Sequence, residues 1–268
     1  MLKTVWKKKV LCALTLVCWL SLPLNQGWAG LSLKMVYDNT SSDHETIADW
    51  GFGCLIKLGQ VTILFDTGQD GTILLQNFKM MGEDPKSVDC VVISHNHGDH
   101  IGGLFDFLNV NPRAKVCLAD PTPEALRRLH SLGVRVFRTP HPVKLCKGVW
   151  LSGAMGQAIK EQALILNSPK GLILIVGCSH PGIRTMIQEI RSVFQRPVYL
   201  VLGGFHTLPE TSGGMQKVIQ DFQHLGVQKV GPAHCTSAVA KAWFQKAYGK
   251  NCLRCGTGRE IEINWSQH

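Results

Sequence analysis

Ser94-His95-Asn96-His97-Gly98-Asp99-His100-Ile101-Gly102-Gly103 is the stretch on which the reading of this chain turns. It begins at the end of Val88-Asp89-Cys90-Val91-Val92-Ile93-Ser94, an apolar run with the length and composition of a buried strand. In extended backbone His95 and His97 project to the same side, because strand side chains alternate with a period of two. Gly98 is expected to permit a sharp turn that brings Asp99 and His100 back towards the same point. Gly102 and Gly103 would let a following helix start close to the cluster. Imidazole and carboxylate are natural donors to zinc, iron or manganese. Three histidines and one aspartate within six positions exceed what a metal-free polar loop needs.

Upstream of this segment the chain reads as hairpins. Strands are expected over 31–37, 54–58 and 61–65, with Gly59-Gln60 as a tight turn, and a helix over 72–81. Downstream, strands and helices alternate. Helices are expected over 104–110, 122–132, 182–194, 214–225 and 237–247. Strands are expected over 115–118, 134–137, 198–202, 227–230 and 259–263. A further hairpin, 162–167 with 172–176, turns across Ser168-Pro169-Lys170-Gly171. Two sheets packed face to face with helices outside both fit this order better than one doubly wound sheet.

The amino terminus reads as a targeting signal. Lys3, Lys7, Lys8 and Lys9 precede an apolar stretch from Val10 to Leu24, and Gly27-Trp28-Ala29 offers small residues for cleavage after Ala29. Residues 1–29 are therefore read as a signal peptide and 30–268 as one domain. Export to the periplasm or medium follows, with membrane contact only through this segment if it stays uncleaved. Of the formal charge of +9, removal of those four lysines leaves +5, because residues 1–29 hold no acid. The remaining Lys and Arg are scattered, which argues against a nucleic-acid partner. Eight of the 10 cysteines remain after Cys12 and Cys18 leave. Cys252 and Cys255, in Cys-x-x-Cys spacing, fit a disulfide, half a zinc site or two thiols alike.

The His95–His100 segment resembles the His-x-His-x-Asp-His signature of the metallo-β-lactamase superfamily and matches it completely. Phe65-Asp66-Thr67-Gly68 lies where members of the superfamily carry a similar element. Glu161-Gln162-Ala163-Leu164, Gly177-Cys178-Ser179-His180-Pro181-Gly182-Ile183, Gly203-Gly204-Phe205-His206 and His234-Cys235-Thr236 then follow in order. That ordered set is similar to the subgroup of the dihydropterin–ribofuranosylaminobenzene phosphate synthases. The resemblance implies an αββα four-layer sandwich, an α/β fold. It implies two divalent metal ions, zinc first and manganese or iron as alternatives. His95 and His97 would serve one ion and Asp99 and His100 the other, and His180 and His234 carry over as further ligands.

Several roles stay open at this stage. Asp66 either orients a ligand histidine or forms a turn. His206 is a ligand, or it contacts substrate or acts in acid–base chemistry beside Asp99. Many members of the superfamily bridge both metals with a late aspartate. Here that strand end reads Gly-Cys-Ser-His, so Cys178 or His180 replaces the bridge or the second site is weaker. A buried structural thiol is the favoured reading of Cys178. His44, His130, His141, His224 and His268 are expected to be solvated or packed.

The resulting expectation is metal-assisted hydrolysis. Hydroxide held by the centre, oriented by Asp99, would attack an ester or phosphoester of a small molecule. Backbone amides near Gly182 offer an anion site. No Gly-x-Ser-x-Gly elbow, P-loop or dinucleotide fingerprint competes. The archaeal synthases of the subgroup join a dihydropterin to a ribosylaminobenzene phosphate with loss of diphosphate, a cytosolic reaction that fits poorly with export. The rival readings are a β-lactamase-type amide hydrolase, an iron redox protein and a non-catalytic metal-binding protein of the envelope.

Overall fold

The computed structural model of the chain describes residues 30–207 and 212–264. The signal-peptide expectation and His268 lie outside them. The described residues divide into two compact units, 30–140 with 255–264, and 141–254. Each is built around one mixed sheet with its own apolar core.

The first unit opens with three strands, β1 (Gly30–Tyr37), β2 (Gly53–Leu58) and β3 (Val61–Phe65), paired antiparallel in sequence order. Gly59 has φ +61, which suits the expected tight turn between β2 and β3. Helix α1 (Gly71–Met80) follows, capped by the Asp70 carboxylate, which accepts from the amides of Thr72 and Ile73. The strand before the histidine segment is β4 (Cys90–Ile93), entirely buried and parallel to β3. Two helices, α2 (Gly98–Ile101) and α3 (Leu104–Val110), lead to β5 (Lys115–Leu118). Helix α4 (Pro123–Ser131), capped by Thr122, leads to β6 (Val136–Arg138). The last strand of the unit comes from the far end of the chain and is numbered β13 (Glu260–Asn264). It lies on the outer edge beside β1, alternating exposed and buried as an edge strand does.

The second unit begins with β7 (Val143–Cys146) and β8 (Val149–Leu151), an antiparallel pair that the sequence reading did not anticipate. Both are short, and Lys144, Lys147 and Gly148 break the apolar pattern around them. The expected hairpin is present as β9 (Leu164–Ser168) and β10 (Gly171–Val176). Ser168 pairs with Gly171, so the turn narrows to Pro169-Lys170. Helix α5 (Ile183–Phe194), β11 (Val198–Gly204), helix α6 (Ser212–His224), β12 (Lys229–Ala233) and helix α7 (Ala238–Tyr248) complete it. Strands β10, β11 and β12 run parallel, and β10 is buried along its whole length, as a strand covered on both faces must be.

The two sheets share one plan, in which antiparallel neighbours come first along the sequence and parallel strands with helical crossovers follow. Leu55, Leu64, Phe78, Val91, Phe107 and Val116 lie in the core of the first unit. Ile165, Leu174, Met186, Val201, Phe222 and Phe244 lie in that of the second. The polar residues singled out in the sequence sit just beyond the carboxyl ends of the parallel strands and of β3, which delivers the chain to them. That is where α/β sheets place their ligands.

Candidate metal-binding site

In the first unit the histidine segment leaves β4 and turns into α2. The rings of His95 and His97 lie 4.6 Å apart between centroids, and those of His95 and His100 4.2 Å apart. The Asp99 carboxylate stands 3.7 Å from Nε2 of His100. Four of the expected ligands therefore lie in one cluster. His95 and His100 are buried and His97 is exposed, so the cluster opens to solvent on one side.

A buried carboxylate fixes the protons of this cluster. Asp66, fully buried, accepts from the Ser94 amide at 2.7 Å, from Ser94 Oγ at 2.7 Å and from His100 Nδ1 at 2.7 Å. Because Ser94 Oγ gives its proton to Asp66, it accepts from His95 Nδ1, 2.9 Å away. Both rings thus carry their proton on Nδ1, and Nε2 becomes the donor atom. This is the arrangement metal-ligating histidines adopt. Of the two readings of Asp66, the geometry matches the one in which it orients a histidine, His100.

The rest of Phe65-Asp66-Thr67-Gly68 serves the same end. Thr67 donates from its amide and its hydroxyl to the His100 carbonyl, at 2.8 and 2.9 Å. Gly68 has φ +65 and lies under the Tyr37 ring, where a Cβ would come within 2.3 Å of the ring. Gly102 and Gly103 permit close approach as expected: a Cβ would lie 2.1 Å from the Gln69 carbonyl oxygen and 2.4 Å from that of Thr67. Gly98 differs from expectation. It starts α2 without a positive φ, and no atom lies within 4 Å of the place its Cβ would take. The bend is made by His97, which caps α2 in an extended conformation.

In the second unit the loop after β10 is held by Glu161, also fully buried. Its Oε1 accepts from the amides of Gly177, Cys178 and Ser179 at 3.0, 3.1 and 2.9 Å, and its Oε2 from the amide of His180 at 2.8 Å. Sequence reasoning noted Glu161 as part of a short matching piece and missed this role, because its partners lie 16 to 19 positions away. His180 and His206 stack with ring centroids 4.6 Å apart. His234 is buried beyond β12, and its Nε2 is shielded from solvent.

Side-chain nitrogen and sulfur atoms of Cys178, His206 and Cys235 lie within 4.8 Å of one another. Hydrogen bonds to Cys178 and then to His206 hold the Cys235 thiol down at about 7, against the burial that pushes it up. Cys178 is buried, as its structural reading required, yet it has a thiol and an imidazole for neighbours. None of the eight cysteines of the described residues is in a disulfide, Cys252 and Cys255 included. His44, His130, His141 and His224 are exposed.

Four of the five non-glycine residues with positive φ are Asp66, Ser179, His206 and His234, at +59, +65, +46 and +43. Each lies one to three positions beyond a strand of its sheet. Strained backbone at ordered positions is characteristic of sites where geometry serves chemistry.

A divalent cation fits the donor set of the first unit: imidazole nitrogens whose protons face outward, with a carboxylate beside them. The model of the metallo-β-lactamase superfamily matches residues 54–175, a span that includes the whole cluster. The chain superimposes on a metal-dependent hydrolase of the β-lactamase superfamily with a TM-score of 0.73 and 25% identity, covering 87% of this chain and 99% of that one. Residues 54–175 are thus similar to the metallo-β-lactamase superfamily, and the chain has the α/β fold of that superfamily's structures. The chain is also similar to the 7,8-dihydropterin-6-methyl-4-(β-D-ribofuranosyl)-aminobenzene-5′-phosphate synthase of Methanocaldococcus jannaschii, 28% identical over 247 residues, 75% of this chain and 84% of that protein. A diphosphatase from the PhnP family shares the fold, with a TM-score of 0.58 and 13% identity over 89% of this chain and 99% of that one.

Proposed function

We propose that the protein is a metal-dependent hydrolase of a phosphoester or related ester in a small molecule. The relay His95–Ser94–Asp66–His100 carries this reading, since it presents two imidazole Nε2 atoms as ligands beside Asp99. His95, His97, Asp99 and His100 would hold two divalent ions, zinc by preference, with His180 and His234 completing the set as the family resemblance implies. Bound there, such ions supply a water of lowered pKa and polarise the scissile bond. The residues of the chain do the rest. Asp66 keeps the ring protons outward, Asp99 orients the attacking water, and Glu161 keeps His180 in place through its backbone.

A phosphate-bearing substrate is supported by the similarity to the archaeal synthase, whose name specifies a ribofuranosyl 5′-phosphate. The same similarity favours a second reading, a synthase that transfers rather than hydrolyses. Assay of the zinc-loaded protein on phosphate mono- and diesters, diphosphates and nitrocefin tests the first reading. Phosphoester or diphosphate turnover that His97→Ala abolishes supports hydrolysis. Silence on all of these, with product formed only from a dihydropterin diphosphate and a ribosylated aminobenzene phosphate, supports the synthase.

Export through residues 1–29 belongs to the proposal. Expression in a Gram-negative host should yield a periplasmic protein beginning at Gly30, and a cytosolic protein retaining residues 1–29 would contradict it. Among the described residues no helix is long and apolar enough to cross a membrane.

A further inference from the structure

Three neighbouring parallel strands end side by side in the order β12-β11-β10. Two residues beyond each end comes a metal-ligating side chain: Cys178 after Val176, His206 after Gly204 and Cys235 after Ala233. The strands are in register at these ends, Val176 opposite Gly203 and Gly204 opposite Ala233. Their donor atoms converge to within 4.8 Å of one another.

The convergence depends on the two glycines that end β11. At Gly203, with φ +129, a Cβ would lie 2.0 Å from the Val176 carbonyl oxygen. At Gly204 it would lie 2.5 Å from Cys235 Sγ and 2.5 Å from the Gly177 carbonyl oxygen. Any larger residue would push the thiols apart. Hydrogen bonds then tie the three loops together. Ser179 Oγ donates to the Gly204 carbonyl at 2.7 Å, the Gly204 amide to the Gly177 carbonyl at 2.9 Å, and the Phe205 amide to Thr236 Oγ1 at 3.0 Å. Glu161 fixes the loop that carries Cys178.

From this geometry we infer that Cys178, His206 and Cys235 together hold a zinc ion. Two sulfurs and one imidazole make a borderline-to-soft donor set that selects zinc over magnesium, calcium or manganese. Zinc bonds of about 2.3 Å to sulfur and about 2.0 Å to nitrogen put tetrahedral donor atoms about 3.5–3.8 Å apart, within the 4.8 Å that bounds the separations of these three atoms. Each thiol gives up its proton to solvent on coordination, so one zinc ion replaces two protons and no electron is transferred. Cys178 and Cys235 are buried and His206 is exposed. This site goes beyond the hydrolase reading and stands whether or not that reading holds.

Cobalt(II) is the probe, because thiolate ligation gives it a near-ultraviolet charge-transfer band that imidazole and carboxylate do not. The cobalt-loaded full chain should show that band. It should persist in His95→Ala and His100→Ala and vanish in Cys235→Ser. Bound zinc should fall by about one ion per chain in Cys235→Ser. The unmutated protein gives a second readout. Alkylation of Cys178 and Cys235, followed by peptide mapping, should be blocked by zinc and restored by a chelator. The site is overturned if no thiolate band forms, or if both thiols alkylate equally with and without zinc. It is equally overturned if the band survives Cys235→Ser and is lost in His100→Ala, which would make Cys178 a ligand of the histidine cluster alone. A Cys178–Cys235 disulfide that persists in protein purified under reducing conditions would also overturn it.

Discussion

Each unit places one buried carboxylate behind its strand-end residues, and the two carboxylates grip different things. Asp66 binds side chains, the Nδ1 of His100 and the hydroxyl of Ser94, and accepts one amide as well. Glu161 binds backbone, accepting from four successive amides. Asp66 therefore decides where protons sit on the His95 and His100 rings, whereas Glu161 decides the path of a loop. The lesson is that a buried charge can serve either the chemistry or the shape of a site, and that substitution separates the two.

The largest effect should come from Glu161→Ala. It leaves four amides without their buried acceptor and should cost about 3–5 kcal/mol, measured by guanidinium unfolding. A loss below about 1 kcal/mol would show that the loop does not depend on this carboxylate. Next in size is Gly102→Ala, whose new Cβ meets the backbone oxygen of Gln69 and should cost about 2–3 kcal/mol on the same measure. Asp66→Asn should act on ligation instead. The amide cannot accept from His100 and Ser94 Oγ at one atom and from the Ser94 amide at the other, since its NH2 group faces one set of donors, and zinc affinity should fall about 10–100-fold by competition with a chromophoric chelator. Unchanged affinity would reduce Asp66 to a turn residue. Smallest is Gly98→Ala, which meets open space at a helical position and should stabilise by no more than about 1 kcal/mol. A loss as large as that of Gly102→Ala would mean that the segment needs the turn its sequence suggested.

The first unit was far more legible in the sequence than the second. Its candidate ligands are contiguous, they follow an apolar strand, and both glycines after them are explained by close backbone approach. Two of its helices begin where Asp70 and Thr122 cap them, signals that local sequence carries. The cluster of the second unit is assembled from three strand ends, and Cys235 lay unremarked in the middle of His-Cys-Thr. The signal was present in principle, because Cys178, His206 and Cys235 occupy the same offset after three buried runs. Only the parallel register makes that offset a shared location. Strands β7 and β8 escaped notice because tertiary pairing stabilises short segments whose own pattern is weak. The role of Gly98 was misassigned because the conformation of a glycine is set by its surroundings, and a motif does not display them.

The central claim is a metal centre on the His95–His100 segment, and metal content tests it most directly. Full chain purified without chelators and reconstituted with zinc should be compared with the triple variant His95→Ala/His97→Ala/His100→Ala by mass spectrometry. The account predicts that the variant stays folded by circular dichroism and holds about two fewer ions per chain than the unmutated protein. Equal metal content in the two folded proteins would contradict it.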